Sequence, residues 1–151
     1  MIDIYSKGDY PACELSNFAE HHFVIDEVEI KSMEGFLQSL KYKSPQLQKK
    51  VCLLVGKEAK LAGKRRWFWK ITKTVYWKGE KISLFSDELQ ELIDRAYIAM
   101  FKECPSFRQA LLDAKKEKLL HSLGAHYINQ TILTEYHFIR RLEMLRSQMC
   151  L

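Results

Sequence analysis

Apolar residues recur along this chain at two spacings, and the change from one to the other divides it. From Ser86 onward the period is helical: Leu89, Leu92, Ile93, Ala96, Tyr97, Met100 and Phe101 step by three and four behind a serine N-cap and two first-turn acids, Asp87 and Glu88. Pro105 closes that run, so the spacing predicts a long buried central helix. Ser106 stands where it would cap the next helix, with Phe107, Ala110 and Leu111 inward, and a short segment from Glu117 to His121 follows. Thr134 predicts the cap of a last helix with Phe138, Leu142, Leu145 and Met149 facing in. Arg140, Arg141 and Arg146 sit in its later turns, where the helix dipole favours cations.

The first half is more broken. Ile2 to Tyr5 predicts a short strand, Lys7-Gly8-Asp9-Tyr10-Pro11 a turn, and Cys13 to Glu20, which has no clean period, a loop. Branched residues flank an acidic pair in Phe23-Val24-Ile25-Asp26-Glu27-Val28-Glu29-Ile30, the pattern of a hairpin or two short strands around Asp26-Glu27. Ser32 caps a helix running to Lys41. Ser44 and Pro45 then supply an N-cap and a first-position proline for a helix presenting Leu47, Val51 and Leu54, with Gly56 as its stop. A further helical piece through Glu58, Ala59, Leu61 and Ala62 ends at Gly63. Ile71 to Trp77 predicts a strand, with Lys78-Gly79-Glu80 as its turn. The sum is a mainly α, α+β fold in one domain spanning residues 1–151, with a small N-terminal β element.

Composition narrows the class. At 151 residues, 47% apolar and 28% charged, the chain is long enough to bury a core without disulfides or metals and has the balance of a soluble globular protein. No stretch approaches the roughly 18 apolar residues of a membrane span, and Met1-Ile2-Asp3-Ile4-Tyr5 lacks the basic-then-apolar order of a secretion signal, so a cytoplasmic protein without membrane contact is expected. Cys13, Cys52, Cys104 and Cys150 are scattered, with no Cys-x-x-Cys pair and no His at ligand spacing, and read as free thiols.

The charge is not evenly spread. Residues 41–81 hold 13 Lys or Arg against Glu58 and Glu80 alone, a local net of +11 in a chain whose total is +5. Aromatics interrupt this block at Lys64-Arg65-Arg66-Trp67-Phe68-Trp69-Lys70 and at Tyr76-Trp77-Lys78. Cations neutralise phosphates and aromatic faces stack on bases, so the block has the composition of a nucleotide or single-stranded nucleic-acid site; alternatively the rings are core and the lysines only solvated surface.

Within Ser32 to Lys41, at 100° per residue, Glu34, Gln38 and Lys41 fall within about 60° of one another while Met33, Phe36, Leu37 and Leu40 take the opposite side. The polar face is either ordinary solvated surface or an acid, an amide and an amine held together for chemistry. Gly35, inside this helix, costs roughly 1 kcal/mol relative to Ala and is expected only where something approaches closely. The chain lacks Gly-x-Gly-x-x-Gly, the phosphate-binding loop of NTPases, His-Glu-x-x-His and Gly-x-Ser-x-Gly, which lowers the odds of a dinucleotide oxidoreductase, a phosphate-loop NTPase, a zinc protease or a common hydrolase. Neither a metal nor another cofactor is expected.

Leu15-Ser16-Asn17-Phe18 and Ser32-Met33-Glu34-Gly35-Phe36-Leu37-Gln38-Ser39-Leu40-Lys41 form a pair at which the chain resembles the NADAR (YbiA-like) family. Gly63-Lys64, Tyr76-Trp77-Lys78-Gly79, Phe85-Ser86, Gln90 and Arg95-Ala96-Tyr97 extend the resemblance downstream, as do Leu120-His121-Ser122-Leu123-Gly124 and Thr131-Ile132-Leu133-Thr134-Glu135. Gly35 stands where the family usually has His, and the tryptophan that many members carry before the central helix corresponds to Phe85 by position or to Trp77 by residue type.

The resemblance implies cleavage of an N-glycosidic bond at a ribose, removing ADP-ribose from a guanine base or a nucleotide-type substrate, or alternatively acting on phosphoribosylated pyrimidine intermediates of riboflavin synthesis. Positive charge develops at the anomeric carbon as the base leaves, and Glu34 is the carboxylate assigned to stabilise it or to activate water. Lys41 would hold a phosphate or hydroxyl, or attack the opened ribose as an amine; His121 would be a general acid for the leaving base. Ser16, Asn17, Phe18 and Gln38 would contact ribose or base, Lys64 and Arg65 would neutralise phosphates, and Trp77 would stack. The competing class is a non-enzymatic basic module that binds nucleic acid or ADP-ribose through residues 41–81.

Overall fold

The computed structural model describes residues 1–149; the thiol expected at Cys150 lies outside the described residues. The β elements are three two-stranded ladders. The first joins the two halves of the chain: β1 (Ile2–Asp3) pairs in parallel with β6 (Leu119–Leu120). The second is the expected hairpin, β2 (Phe23–Ile25) against β3 (Val28–Ile30), turning through Asp26 and Glu27, both at positive φ as a tight two-residue turn requires. The third is β4 (Thr74–Trp77) against β5 (Glu80–Ser83), turning at Lys78 and Gly79 in the same way.

Eight helices fill the rest of the described chain: α1 (Ala12–Leu15), α2 (Met33–Ser39), α3 (Pro45–Cys52), α4 (Gly56–Lys64), α5 (Trp69–Thr72), α6 (Asp87–Glu103), α7 (Pro105–Asp113) and α8 (Glu135–Met149). One hydrophobic core runs through them, with α6 at its centre contributing Leu89, Leu92, Ile93, Ala96, Tyr97 and Met100. Three serines cap as the sequence predicts: the hydroxyls of Ser32, Ser44 and Ser86 accept from the amides of Gly35, Leu47 and Leu89. The fold is therefore a mainly helical α+β domain. Among the described residues no helix is long and apolar enough to cross a membrane.

Local expectations fail where tertiary packing overrides them. Ala12 and Leu15 are drawn into the core, which makes a short helix of part of the expected loop. Gly56, at φ +54°, opens α4 instead of stopping α3, which has already ended at Cys52. The strand expected from Ile71 begins only at Thr74, because Trp69 turns inward and starts α5, and a left-handed Lys73 breaks it. Pro105, not Ser106, begins α7, and Glu117 to His121 supplies β6. In α8 Arg141 is buried beside Phe138, its guanidinium donating to Asp94 and Gln90 on α6, whereas Met149 is only half-buried.

Gly35 explains itself in this packing. A Cβ on it would sit 2.6 Å from the Leu54 carbonyl oxygen and 2.9 Å from that of Val51, both backbone atoms, so α2 rests directly on the carbonyl end of α3. Ser32 fixes the same junction, donating its hydroxyl to the Leu54 carbonyl at 2.7 Å. Gly35→Ala gains about 1 kcal/mol of helix propensity but must push two backbone segments apart. The expected net is a loss of about 1–2 kcal/mol, read as a fall of about 2–8 °C in thermal midpoint; an unchanged or raised midpoint would refute the close approach.

Candidate active site

Three devices converge on the first turn of α2. The Glu34 amide donates to the Asn17 carbonyl at 3.0 Å, which binds the Ser16–Phe18 loop to the helix. Asn17 is held from behind by Tyr97 of α6, whose hydroxyl donates to its side-chain oxygen at 2.6 Å. Within the loop the Ser16 hydroxyl accepts from the Phe18 amide. The two N-terminal motifs are thus one structure, and its anchor is a fully buried tyrosine in the central helix.

On the polar face of α2 the Gln38 side-chain amide donates to the Glu34 carboxylate at 2.7 Å, one helical turn away. The other end of that amide packs into α4 at Gly63, where a Cβ would fall 1.6 Å from the Gln38 oxygen, so only glycine leaves room. Among the described residues the buried Gln38 oxygen has no hydrogen-bond partner. Further along the face the Lys41 ammonium lies 5.0 Å from the centre of the Trp69 ring, which Lys70 also approaches at 5.7 Å.

These groups line a cavity of about 790 Å³, within the size range of small-molecule sites. Of the expected site residues it brings together Ser16, Asn17, Phe18, Glu34, Gln38, Lys41, Lys64 and His121. His121 enters from the far side beside β6, its Nδ1 donating to the Ile4 carbonyl at 2.7 Å and its ring edge-on to Phe138. A proton on Nδ1 leaves Nε2 of the neutral ring as an acceptor. The ring of Phe18 receives Lys60 at 6.0 Å.

Two expected residues are elsewhere. Trp77 is only 6% exposed, packed edge-on to Phe36 and donating its indole N–H to Asp26, because the alternation of β4 sends Val75 and Trp77 into the core. Phe85 is exposed and also away from the cavity, so neither supplies a stacking surface there. Arg65 points to solvent outside the cavity and its neighbour Arg66 lines it instead. Lys60 also lines it, as do Trp67, Trp69 and Lys70 from the basic-aromatic block. Lys60 was legible, since it lies three and four positions before Gly63 and Lys64 on one face of α4. Among the described residues no group of three or more His, Cys, Asp or Glu is arranged to hold a metal ion.

Electrostatics set the two central groups apart from ordinary side chains. Burial raises the Glu34 carboxyl above the usual carboxylate range, against the pull of the Gln38 hydrogen bond and the positive fields of Lys41, Lys60 and His121. Burial pushes Lys41 down to about 8, opposed by Glu34 and assisted by Lys70. Among the described residues Glu34 makes no ion-pair contact within 4.0 Å, so it and Lys41 act on each other at a distance and not as a bonded pair.

Comparison with known proteins follows the same outline. The family model described as Bacteriophage protein GP30.3 matches residues 9–147. An uncharacterized 17.1 kDa protein from the Gp30-rIII intergenic region of Enterobacteria phage T4 is 35% identical over 149 residues, covering 98% of each chain. Among solved structures, the NMR structure of the E. coli protein YbiA superposes with a TM-score of 0.64 at 17% identity, covering 99% of this chain and 84% of that one. The fold match agrees with the resemblance carried by the two N-terminal motifs.

The Lys41 amine should titrate near 8, well below surface lysines, when followed by NMR of ¹³C-methylated lysines. Glu34→Gln removes the negative charge that holds the ammonium on, so the midpoint should move lower still. A Lys41 midpoint near the ordinary 10.5, or one that rises in the variant, contradicts the coupling.

Proposed function

We propose, from the premise that this chain belongs to the Bacteriophage protein GP30.3 family and has the fold of YbiA, that its cavity hydrolyses an N-glycosidic bond at a ribose. What supports the reading is one arrangement: a half-buried carboxyl, Glu34, and an amine of lowered basicity, Lys41, in one cavity that Lys60, Lys64, Arg66 and Lys70 also line. Breaking the bond sends its electron pair to the base nitrogen, which takes up a proton, and leaves an oxocarbenium-like C1′ that water attacks. A carboxylate held next to that carbon stabilises the charge or removes the proton of the attacking water. His121, when protonated, supplies the proton to the departing base.

The ring of cations favours a substrate with several negative charges over one with a single phosphate. ADP-ribose attached to a guanine base meets that demand, with its diphosphate among the cations and its sugar at Glu34. Phosphoribosylated pyrimidines of the riboflavin route are the smaller alternative. A second reading for Lys41 has its own support, since an amine with a pKa of about 8 is still mostly charged at pH 7 but about half neutral near pH 8. It can add to C1′ of the ring-opened sugar while the base is still attached there, expel the base, which leaves with a proton, to form a lysine imine, and be released when water hydrolyses that imine to the sugar aldehyde.

The experiment is a substrate panel followed by mass spectrometry: free ADP-ribose, NAD, an ADP-ribosylated guanine oligonucleotide and a phosphoribosylamino-pyrimidine. Release of base from a ribosylated substrate is expected. Glu34→Gln should abolish it with the thermal midpoint held within a few degrees, whereas full activity in that variant ends the assignment. No base released from any member of the panel favours the non-enzymatic binding module.

The pH profile separates the two roles of Lys41. Glu34 works ionised, so activity must rise with pH through its raised pKa, which places the acid limb above the ordinary carboxylate value of 4.5. If Lys41 holds a phosphate as a cation, activity falls above about 8; if it attacks as an amine, activity climbs through about 8 and borohydride traps substrate on Lys41.

A further inference from the structure

Trp67 and Phe68 are 56% and 65% exposed and stacked on each other, ring centres 4.6 Å apart with only 14° between planes. Each ring leaves its outer face open to solvent, so the pair presents a flat aromatic surface. Trp67 belongs to the cavity wall, but Phe68 does not, so the stack carries an aromatic surface from the rim to the outside. From Ala59 to Gly79 the chain has seven Lys or Arg and no Asp or Glu, so that surface lies in a wholly cationic stretch.

The rim continues on its other side. Arg66 lines both the Glu34 cavity and a second, open trough of about 560 Å³ bounded by Tyr42, Lys43, Pro45 and Gly79. Its guanidinium lies 4.5 Å above the Tyr42 ring, so the boundary between the two depressions is a flat cation on an aromatic face.

We propose that this ridge, Arg66–Phe68 with the adjoining trough, is a binding site for single-stranded nucleic acid that threads one nucleotide toward Glu34. Exposed rings stack on unpaired bases whatever their identity, and the flanking cations follow the phosphates. A duplex hides its base faces and cannot use the stack. An acidic protein would match the charge but leaves the coplanar rings without a purpose. The proposal deepens the glycosidase reading by making the substrate a nucleotide within a strand, and the ridge is tested without any cleavage.

The probe is a fluorescent oligothymidylate of about 15 nucleotides carrying no modification, followed by anisotropy across a salt series. The native chain should bind the single strand more tightly than a duplex of equal length, with affinity falling steeply as salt rises. Phe68→Ala should weaken binding about tenfold, Phe68→Tyr should restore it, and Lys43→Glu should both weaken binding and flatten the salt slope. The probe carries no ribosyl modification and its binding is read without cleavage, so a failed glycosidase assignment leaves this result standing. Equal binding of duplex or polyglutamate, or an unaffected Phe68→Ala variant with native circular dichroism, overturns the proposal.

Discussion

A carboxyl group drawn partly out of water and given an amide instead of an ammonium as its contact is the constraint on which this fold turns. Burying an ionised acid costs several kcal/mol unless it is bonded to a counter-charge. Glu34 has the Gln38 amide at 2.7 Å and the cations only at a distance. Its protonation balance is therefore set by the shape of the cavity: how much water reaches it, and how far away Lys41 and Lys60 stand. An intimate salt bridge would have fixed the carboxylate charged and blunted it as a base.

Holding such a group needs rigid neighbours, and the packing supplies them with small residues and hydroxyls. Gly35 lets α2 lie against the carbonyls at the end of α3, Gly63 lets α4 close over Gln38, and Ser32 ties the start of α2 to the same junction. Tyr97 reaches from the central helix to position Asn17, and Asn17 in turn meets the Glu34 amide. The long apolar helix α6 is thus part of the site's scaffold as well as of the core. A glycine that costs stability within a helix is retained where two backbones must meet, which is why its presence in α2 carries information.

Much of this was legible in the chain. The caps at Ser32, Ser44 and Ser86, the Asp26-Glu27 hairpin and the three-four period of α6 are local devices, written in consecutive residues. The convergence of Ser16, Asn17, Glu34, Gln38 and Lys41 on one cavity follows from helical periodicity once the early loop is tied to α2. What stayed hidden was decided at long range. Whether Trp69 or Trp77 faces the cavity depends on where α5 gives way to β4, and that point is set by which ring the core admits. Arg65 and Arg66 are indistinguishable in composition, and only the exit direction of α4 sends the second into the wall. The strand β6 is two residues long and exists because β1 lies beside it, so no pattern within 117–121 announces it.

The same long-range field bears on how Lys41 behaves once the cavity is filled. Burial and Lys70 press its ammonium toward the neutral form, and Glu34 resists. A substrate bearing two phosphates brings negative charge among Lys60, Lys64 and Lys70, cancelling part of the repulsion and adding attraction, and both changes favour the ammonium. The amine role is thus strongest before a polyanion binds and weakens as it binds, whereas the cation role strengthens. For Glu34 the added anion acts in the sense of burial and raises its proton affinity further. A diphosphate substrate therefore drives the pair toward a positive lysine and a more basic carboxylate, the combination that binds an anion while withdrawing a proton from water. Under the proposed glycosidase reading, a substrate with less charge leaves more of the amine free to attack C1′, so the charge of the ligand would select between the two roles proposed for Lys41.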